Sequence, residues 1–401
     1  MQQAEKSLRL KTIFLIGGLS MLQPLITDPY LPSLPAVAKD LSADLSVIQL
    51  SLSILTLGFA LGQLFAGPLS DSVGRKKPMY AAIFIYVTSA VICAWSPSVE
   101  VFFAGRILQG LSASALTVIG VSVMRDLYSG LPLLKLMGRV MLVGASAWFI
   151  APFAGSALLQ FTDWRGISLI VGAFGLLVGI AAIRFMPETL HLDNRNSQVF
   201  AGMGKRFIKV LKARTFFGLM LIQMAIGFSM FAYLGVLPIV FSQGFDVPAT
   251  SVGMFIAVNS VGAYSGIQVA GFLAKRIGVQ WVATGALALW LLAGVGIIFN
   301  SLTSPNLWFV AAMSFLFVFA FGNTATTINA IALSHHGSEA GTAAAVLGTM
   351  GFLASTVGGP LYTMLDKQSA IGVGSAIAVA MTLALTIMLV VVRPHRMKSM
   401  S

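Results

Sequence analysis

The chain has 401 residues, of which 57% are hydrophobic and 9% charged, with a formal net charge of +12. Globular proteins carry roughly 25% charged residues. This chain has too few to cover a water-soluble fold of its length, so lipid is the expected solvent for much of its surface.

The first residues, MQQAEKSLRLK, run directly into a long apolar segment with no small-residue cleavage pattern, which reads as a first spanning helix rather than a cleaved leader. A span takes about 20 apolar residues. Apolar runs fall at 12–37, 46–68, 78–95, 99–124, 137–160, 166–186, 215–240, 249–273, 280–299, 306–331, 341–364 and 371–392. The expected fold is therefore an all-α membrane protein with twelve transmembrane helices. The long polar segment 187–214 divides them six and six, giving an N-terminal bundle 1–186, a linker and a C-terminal bundle 215–401. Within the linker, 202–214 reads as a short basic amphipathic helix suited to an anionic leaflet. The single cysteine, Cys93, lies in an apolar run and reads as a small buried hydrophobe. His335 and His336 fall in the loop between spans ten and eleven with no carboxylate or cysteine cluster around them, so no metal site is expected.

With the N-terminus in the cytoplasm, all of the 25 Lys and Arg except Lys39, Arg106, Arg165 and Lys367 fall on the cytoplasmic side. The positive-inside rule then places both termini in the cytoplasm of a multi-pass protein of the bacterial inner membrane. The net charge is a topology signal, and a nucleic-acid partner is not expected.

The halves repeat. Gly67-Pro-Leu-Ser-Asp-Ser-Val-Gly74 follows span two, and Gly271-Phe-Leu-Ala-Lys-Arg-Ile-Gly278 follows span eight, 204 residues on. Tyr30-Leu-Pro32 closes span one and Val236-Leu-Pro238 closes span seven, 206 residues on. Ala151-Pro152 in span five corresponds to Gly359-Pro360 in span eleven, offset by 208. Duplication of a six-helix unit is a common plan among transporters, with the substrate site near the midplane between repeats.

Asp28 is the one acid well inside an expected span. An intramembrane ionisable group is costly and marks function. Its counterpart at the 206 offset is Leu234, so the repeated architecture does not itself need an acid there. Arg106 in span four is the second such group. At about 1.5 Å per residue both lie at similar depths in the outer half of the membrane, where they could meet. Burial disfavours a charged carboxylate and a nearby cation favours it, so such a pair suits a proton switch. The bland alternatives are a carboxylate capping a helix broken by Pro29, Pro32 and Pro35, and an arginine bonding the carbonyls of that break.

The motifs resemble the major facilitator superfamily, and within it the drug:proton antiporters of the Bcr/CflA (bicyclomycin and chloramphenicol resistance) group. Gly67 through Lys77 resembles the superfamily's loop 2–3 signature, and Arg106-Ile-Leu-Gln109-Gly110 its fourth-span motif. Asp28-Pro-Tyr30-Leu31-Pro32, Arg125-Asp126-x-Tyr128, Pro187-Glu188-Thr189-Leu190 and Gly341-Thr342-Ala343-Ala344-Ala345 resemble the subfamily. Two departures stand out. The span-five signature reads Ala151-Pro152-Phe153-Ala154-Gly155-Ser156 instead of ending Gly-Pro-x-x-Gly-Gly, and Lys275 occupies the acid's position in the second loop motif.

The resemblance implies a major facilitator fold of two pseudo-symmetric six-helix bundles. It implies proton coupling at Asp28 and Arg106, and gating by Gly67, Asp71, Gly74, Arg75, Asp126 and Pro152, with Asp71 facing the start of span eleven. It implies a central path lined by spans one, four, seven and ten, which offer Gln23, Tyr30, Gln109, Gln223, Phe228, Phe231, Tyr233, Asn323 and Thr327, with Asn259 added from span eight. The function implied is a monomeric, proton-coupled exporter of small drug-like antibiotics that uses no cofactor beyond the proton gradient. An exporter or symporter of a small metabolite is the alternative. No constellation for an enzyme is evident.

Overall fold

The computed structural model describes residues 2–128, 130–190, 195, 203–334, 340–365 and 370–397. The chain divides into two compact units, Met1–Met203 and Gly204–Ser401. The division falls inside the 187–214 segment.

The N-terminal unit is built from α1 (Gln2–Thr27), a 3-10 turn (Asp28–Ser33), α2 (Leu34–Asp40), α3 (Leu45–Val73), α4 (Lys76–Ala94), α5 (Val99–Leu127), α6 (Gly130–Leu158) and α7 (Trp164–Phe185). The C-terminal unit starts with the short α8 (Met203–Leu211). It continues through α9 (Arg214–Gly244), α10 (Ala249–Ile277), α11 (Val279–Leu302), α12 (Leu307–Ser334), α13 (Ala340–Leu365) and α14 (Ala370–Ile387). Among the described residues, nine helices are long and apolar enough to cross a membrane. They coincide with nine of the expected spans, and α1, α6 and α13 occupy the positions of spans one, five and eleven.

An isolated peptide group is expensive in lipid, so the chain has to satisfy its backbone bonds within helices. The outward faces then need no polar groups. Phe84, Leu177, Leu292 and Leu383 are all exposed, which water would penalise and acyl chains do not. The inward faces follow helical spacing: Ile16, Leu19 and Leu22 line one fully buried stripe of α1.

The two units pair their helices alike. In the first, α3 packs on α5, α1 on α6, and α4 on both α5 and α7. In the second, α10 packs on α12, α9 on α13, and α11 on both α12 and α14. In span numbers, the partners of two, one and three in the first unit are repeated by eight, seven and nine in the second. Duplication is thus visible in packing as well as in sequence.

The α3–α5 and α10–α12 crossings share a device. A Cβ at Gly110 would lie 2.1 Å from the Leu55 carbonyl oxygen, and one at Gly58 2.3 Å from that of Ile107. In the second unit a Cβ at Gly322 would lie 2.0 Å from the Ala263 carbonyl oxygen, and one at Gly266 2.1 Å from that of Phe319. Small residues let helices approach backbone to backbone, which strengthens packing where lipid gives no hydrophobic drive. Gly58 and Gly62 reappear as Gly262 and Gly266, 204 residues on.

The first span departs from expectation. The α-helix stops at Thr27, and Asp28–Ser33 winds as a tighter 3-10 turn before α2 resumes. Pro29 and Pro32 cannot donate backbone N–H groups, so the regular ladder fails there. Its counterpart in span seven does not break: α9 runs through Pro238 to Gly244.

Gly110→Val and Gly322→Val should each destabilise the protein by about 1–3 kcal/mol through overpacking against rigid backbone. Gly271→Ala, whose added Cβ meets nothing within 4 Å, should be neutral. Melting curves in detergent give the comparison.

Candidate functional site

Two polar clusters stand out in the N-terminal unit, at opposite ends of its helices. The first surrounds the break in α1. Asp28 opens the 3-10 turn and is half-buried. Among the described residues its carboxylate has no hydrogen-bond or ion-pair partner.

Arg106 on α5 is 3% exposed. One guanidinium nitrogen, Nη1, donates to the Ile26 carbonyl at 2.9 Å and to Gln109 Oε1 at 3.0 Å. The guanidinium lies over the Tyr30 ring at 4.3 Å, with the Phe102 ring at 5.8 Å. Its Nε and Nη2 have no protein partner among the described residues. Arg106 also lines a small cavity of about 20 Å³ with Tyr30, Phe102, Gln109, Trp164 and Ser168, among others, about the size of one water.

The expected meeting of Arg106 with Asp28 is therefore not what the structure holds. The arginine instead bonds the frayed end of α1, where tighter winding frees carbonyls from their usual donors. A buried charge needs compensation, and here an aromatic face, a carbonyl and an amide provide it in place of a carboxylate. Arg106 thus holds the backbone two residues before Asp28.

The second cluster is built on the turn between α3 and α4. Gly74 has φ +95°, a conformation glycine adopts freely and other residues resist. The turn buries Arg75 to 5% exposure. Its Nε donates to Asp126 Oδ2 at 2.8 Å and its Nη2 to Asp126 Oδ1 at 3.1 Å, a two-point bridge to the end of α5. Nη1 donates to Ser70 Oγ at 2.8 Å and pairs with Asp71. Burial opposes the guanidinium charge, but the bonds to Asp126 and Asp71 outweigh it and raise the pKa of Arg75 further. Bidentate arginine–carboxylate geometry adds direction to the attraction.

The remaining expected residues divide. Gly67 sits within α3 with ordinary space around it, a Cβ there meeting only Val118 at 3.7 Å. Gln23 and Phe228 are half-buried. Gln223 is half-buried too, with its Oε1 unpartnered among the described residues. Tyr233 and Asn259 are 2% and 5% exposed and bond each other, with Asn259 Nδ2 donating to the Tyr233 hydroxyl at 2.9 Å. The Tyr233 ring stacks on Phe317 at 4.2 Å. Asn323 donates to the Phe319 carbonyl and Thr327 to the Asn323 carbonyl, each within α12. The side chains of Phe231 and Pro152, and His335 and His336 entirely, lie outside the described residues. Cys93 is buried, and no metal-binding cluster occurs among the described residues. In the second unit Gly278 repeats the positive φ at +88°. Arg276 there lies over the Phe272 ring, whereas Arg75 in the first unit is paired with Asp71 and Asp126.

The sequence profile of the Major Facilitator Superfamily matches residues 13–359. The chain belongs to this superfamily. Its fold is therefore the major facilitator fold, and its members are carriers. An uncharacterised transporter of the superfamily from Bacillus subtilis, YdgK, is 32% identical over 370 residues, covering 92% of each chain. A bicyclomycin resistance protein homolog from Haemophilus influenzae is 29% identical over 358 residues, covering 89% of this chain and 90% of its own. A chloramphenicol resistance protein from Pseudomonas aeruginosa is 32% identical over 182 residues, covering 44% of this chain and 43% of its own. The bicyclomycin and chloramphenicol resistance relatives support the subfamily that the Asp28–Pro32 motif resembles. The crystal structure of the human organic anion transporter MFSD10 superposes with a TM-score of 0.73 at 19% identity, over 95% of this chain and 99% of that one.

Sequence reasoning attached no role to Glu188 and Thr189, which the structure adds to the second cluster. Glu188 Oε1 accepts from the backbone N–H of Arg75 at 2.9 Å, and Oε2 from that of Lys76 at 3.1 Å. Thr189 Oγ1 donates to Asp126 Oδ2 at 2.7 Å. The available signal was the Pro187–Leu190 motif itself.

Replacing Tyr30 by Leu should cost about 1 kcal/mol or more of stability by removing the cation–π face under Arg106, and Tyr30→Phe should cost less. Thermal unfolding in detergent measures both. A second outcome concerns pH. Partial burial works against the Glu188 charge, but three backbone N–H bonds and Arg195 outweigh it and hold the carboxyl below its ordinary value of 4.5. A group with a depressed folded-state pKa stabilises fully above its unfolded value, and loses that contribution as pH falls through the folded one. The melting-temperature difference between wild type and Glu188→Gln should therefore narrow as pH is taken from about 6 to below about 4.

Proposed function

We propose that this carrier is a proton-coupled exporter of small drug-like compounds, working by alternating access. Named relatives of similar length and of half-chain match support drug export as the substrate class. They favour compounds of the bicyclomycin or chloramphenicol type over a small metabolite.

The observation that carries the coupling is Asp28. It is a half-buried carboxylate at a helix break, with no cation fixed to it among the described residues. A carboxylate already locked to a guanidinium would hold its charge, whereas one free of such a partner can load and release a proton as its surroundings change. Arg106 is then a positioning residue that holds the end of α1. The half-buried Gln23, Gln223 and Phe228 are the side chains best placed for substrate contact. Tyr233, Asn259, Asn323 and Thr327 are buried and bonded within the second unit.

The excess of Lys and Arg in alternate loops supports an inner-membrane orientation with both termini in the cytoplasm. On that reading the Arg75 cluster lies on the cytoplasmic side, and its ion pairs bias the equilibrium between inward- and outward-open states. The monomer is taken as the working unit, and the proton gradient as the energy source.

Asp28→Asn should reduce chloramphenicol export driven by a pH gradient in proteoliposomes to background, while the purified variant keeps a wild-type melting temperature. Undiminished gradient-driven export by that variant would remove Asp28 from the coupling step. Uptake rather than export under the same imposed gradient would replace the drug-export reading with nutrient symport.

A further inference from the structure

The Pro187-Glu188-Thr189-Leu190 motif leaves the end of α7 and folds back across the turn between α3 and α4. Both of its polar side chains fall on the same ion pair from different directions. The Glu188 carboxylate bridges the backbone N–H groups of Arg75 and Lys76, the first residues around the start of α4, and also accepts from its own Leu190 N–H at 3.1 Å. The Thr189 hydroxyl donates to Asp126 Oδ2, the oxygen that also receives Arg75 Nε. Glu188 thus holds the backbone of the cation's residue, and Thr189 holds the anion.

Arg195 sits close by, with Nη2 4.0 Å from Glu188 Oε2. The fit over the turn is tight. A Cβ at Gly74 would lie 2.8 Å from Glu188 Oε2 and 2.7 Å from Arg195 Nη2. All these groups belong to the N-terminal unit, and the same stretch of chain runs on toward the second unit.

We propose that Pro187–Leu190 is a strap on the Arg75–Asp126 switch, with Glu188 and Thr189 as its positioning residues. The inference rests on the reading of that ion pair as a conformational switch. Its content is specific. A carboxylate on free N–H groups at a helix start fixes the backbone there, so it sets where the Arg75 side chain begins. A hydroxyl bond to Asp126 fixes the rotamer of the acceptor. For the pair to part, the strap either releases Asp126 or carries Arg75 away with α4. The strap therefore ties the opening of the switch to the chain leaving span six, and residues 187–190 are working parts of the gate rather than passive linker.

The test uses the full-length protein in inverted membrane vesicles with four variants: Glu188→Ala, Thr189→Val, Thr189→Ser and, as the reference for the switch, Arg75→Ala. Two readouts are taken. The first is the rate and KM of gradient-driven chloramphenicol transport. The second, which needs no substrate, is tryptic cleavage between Lys76 and Lys77. Loss of a hydrogen bond to a charged group supports an effect on the order of tenfold. Glu188→Ala and Thr189→Val should lower the maximal rate by about that factor with KM held within about twofold, and should speed cleavage by a similar factor. Thr189→Ser, which keeps the hydroxyl, should behave as wild type.

If Arg75→Ala alters rate and cleavage while Glu188→Ala and Thr189→Val leave both at wild-type values, the strap is overturned and the switch stands. A lowered melting temperature with unchanged rate and cleavage overturns it equally, since the contacts would then only add stability. If Arg75→Ala also leaves rate and cleavage untouched, the switch itself falls, and the strap with it. Should Glu188→Ala fail to fold, the Thr189 pair decides alone, because one hydroxyl separates its two variants in effect.

Discussion

A spanning helix that stops within apolar surroundings leaves carbonyl groups without donors, and lipid supplies none. The N-terminal unit is arranged around that problem at Thr27. Proline at 29 and 32 ends the regular winding of α1, and the Arg106 guanidinium comes from α5 to take up the Ile26 carbonyl. Tyr30, carried by the turn, gives its ring to the same guanidinium. The break, the arginine and the aromatic face thus support one another, and Asp28 is held at the start of the turn without being tied down.

The second unit shows what the plan looks like without the break. It repeats the helix pairings, the positive-φ glycine after its second spanning helix and the close crossing of α10 on α12. Yet α9 stays regular through Pro238, and its centre is an aromatic stack of Tyr233 on Phe317, bonded to Asn259. The loop after α10 likewise keeps its shape while losing its acid: Lys275 stands in the acid's place and Arg276 rests on a phenyl ring. The common architecture is carried by small residues and turns. The intramembrane acid Asp28 and the Arg75–Asp126 ion pair belong to the first copy.

That division explains how far the sequence could be read. Helices in lipid follow from hydropathy, because composition and backbone satisfaction leave few alternatives, and the duplicated motifs gave the halves and their turns. Asp28 and Arg106 were conspicuous as charges in apolar runs. That they do not pair was not legible, because depth along a helix says nothing about the direction a side chain takes around it. The 3-10 turn was signalled by its prolines, but the seventh span carries a proline too and stays helical, so the signal alone did not decide. Glu188 and Thr189 were missed for another reason. Their role depends on a return of the chain over 63 to 113 residues of sequence, and nothing local in Pro187–Leu190 says which turn it meets. Several amides and hydroxyls read as cavity walls proved to bond within their own unit, since a polar side chain in an apolar bundle takes the nearest partner.

The glycine crossings carry a last consequence, for how such a protein can diversify. Where two backbones touch directly, no side chain stands between them to be enlarged, trimmed or recharged. The α3–α5 and α10–α12 contacts are closed to gradual change, and each pair is inherited as a fixed piece. Changes of side-chain chemistry are left to the faces of the same helices that turn away from those seams.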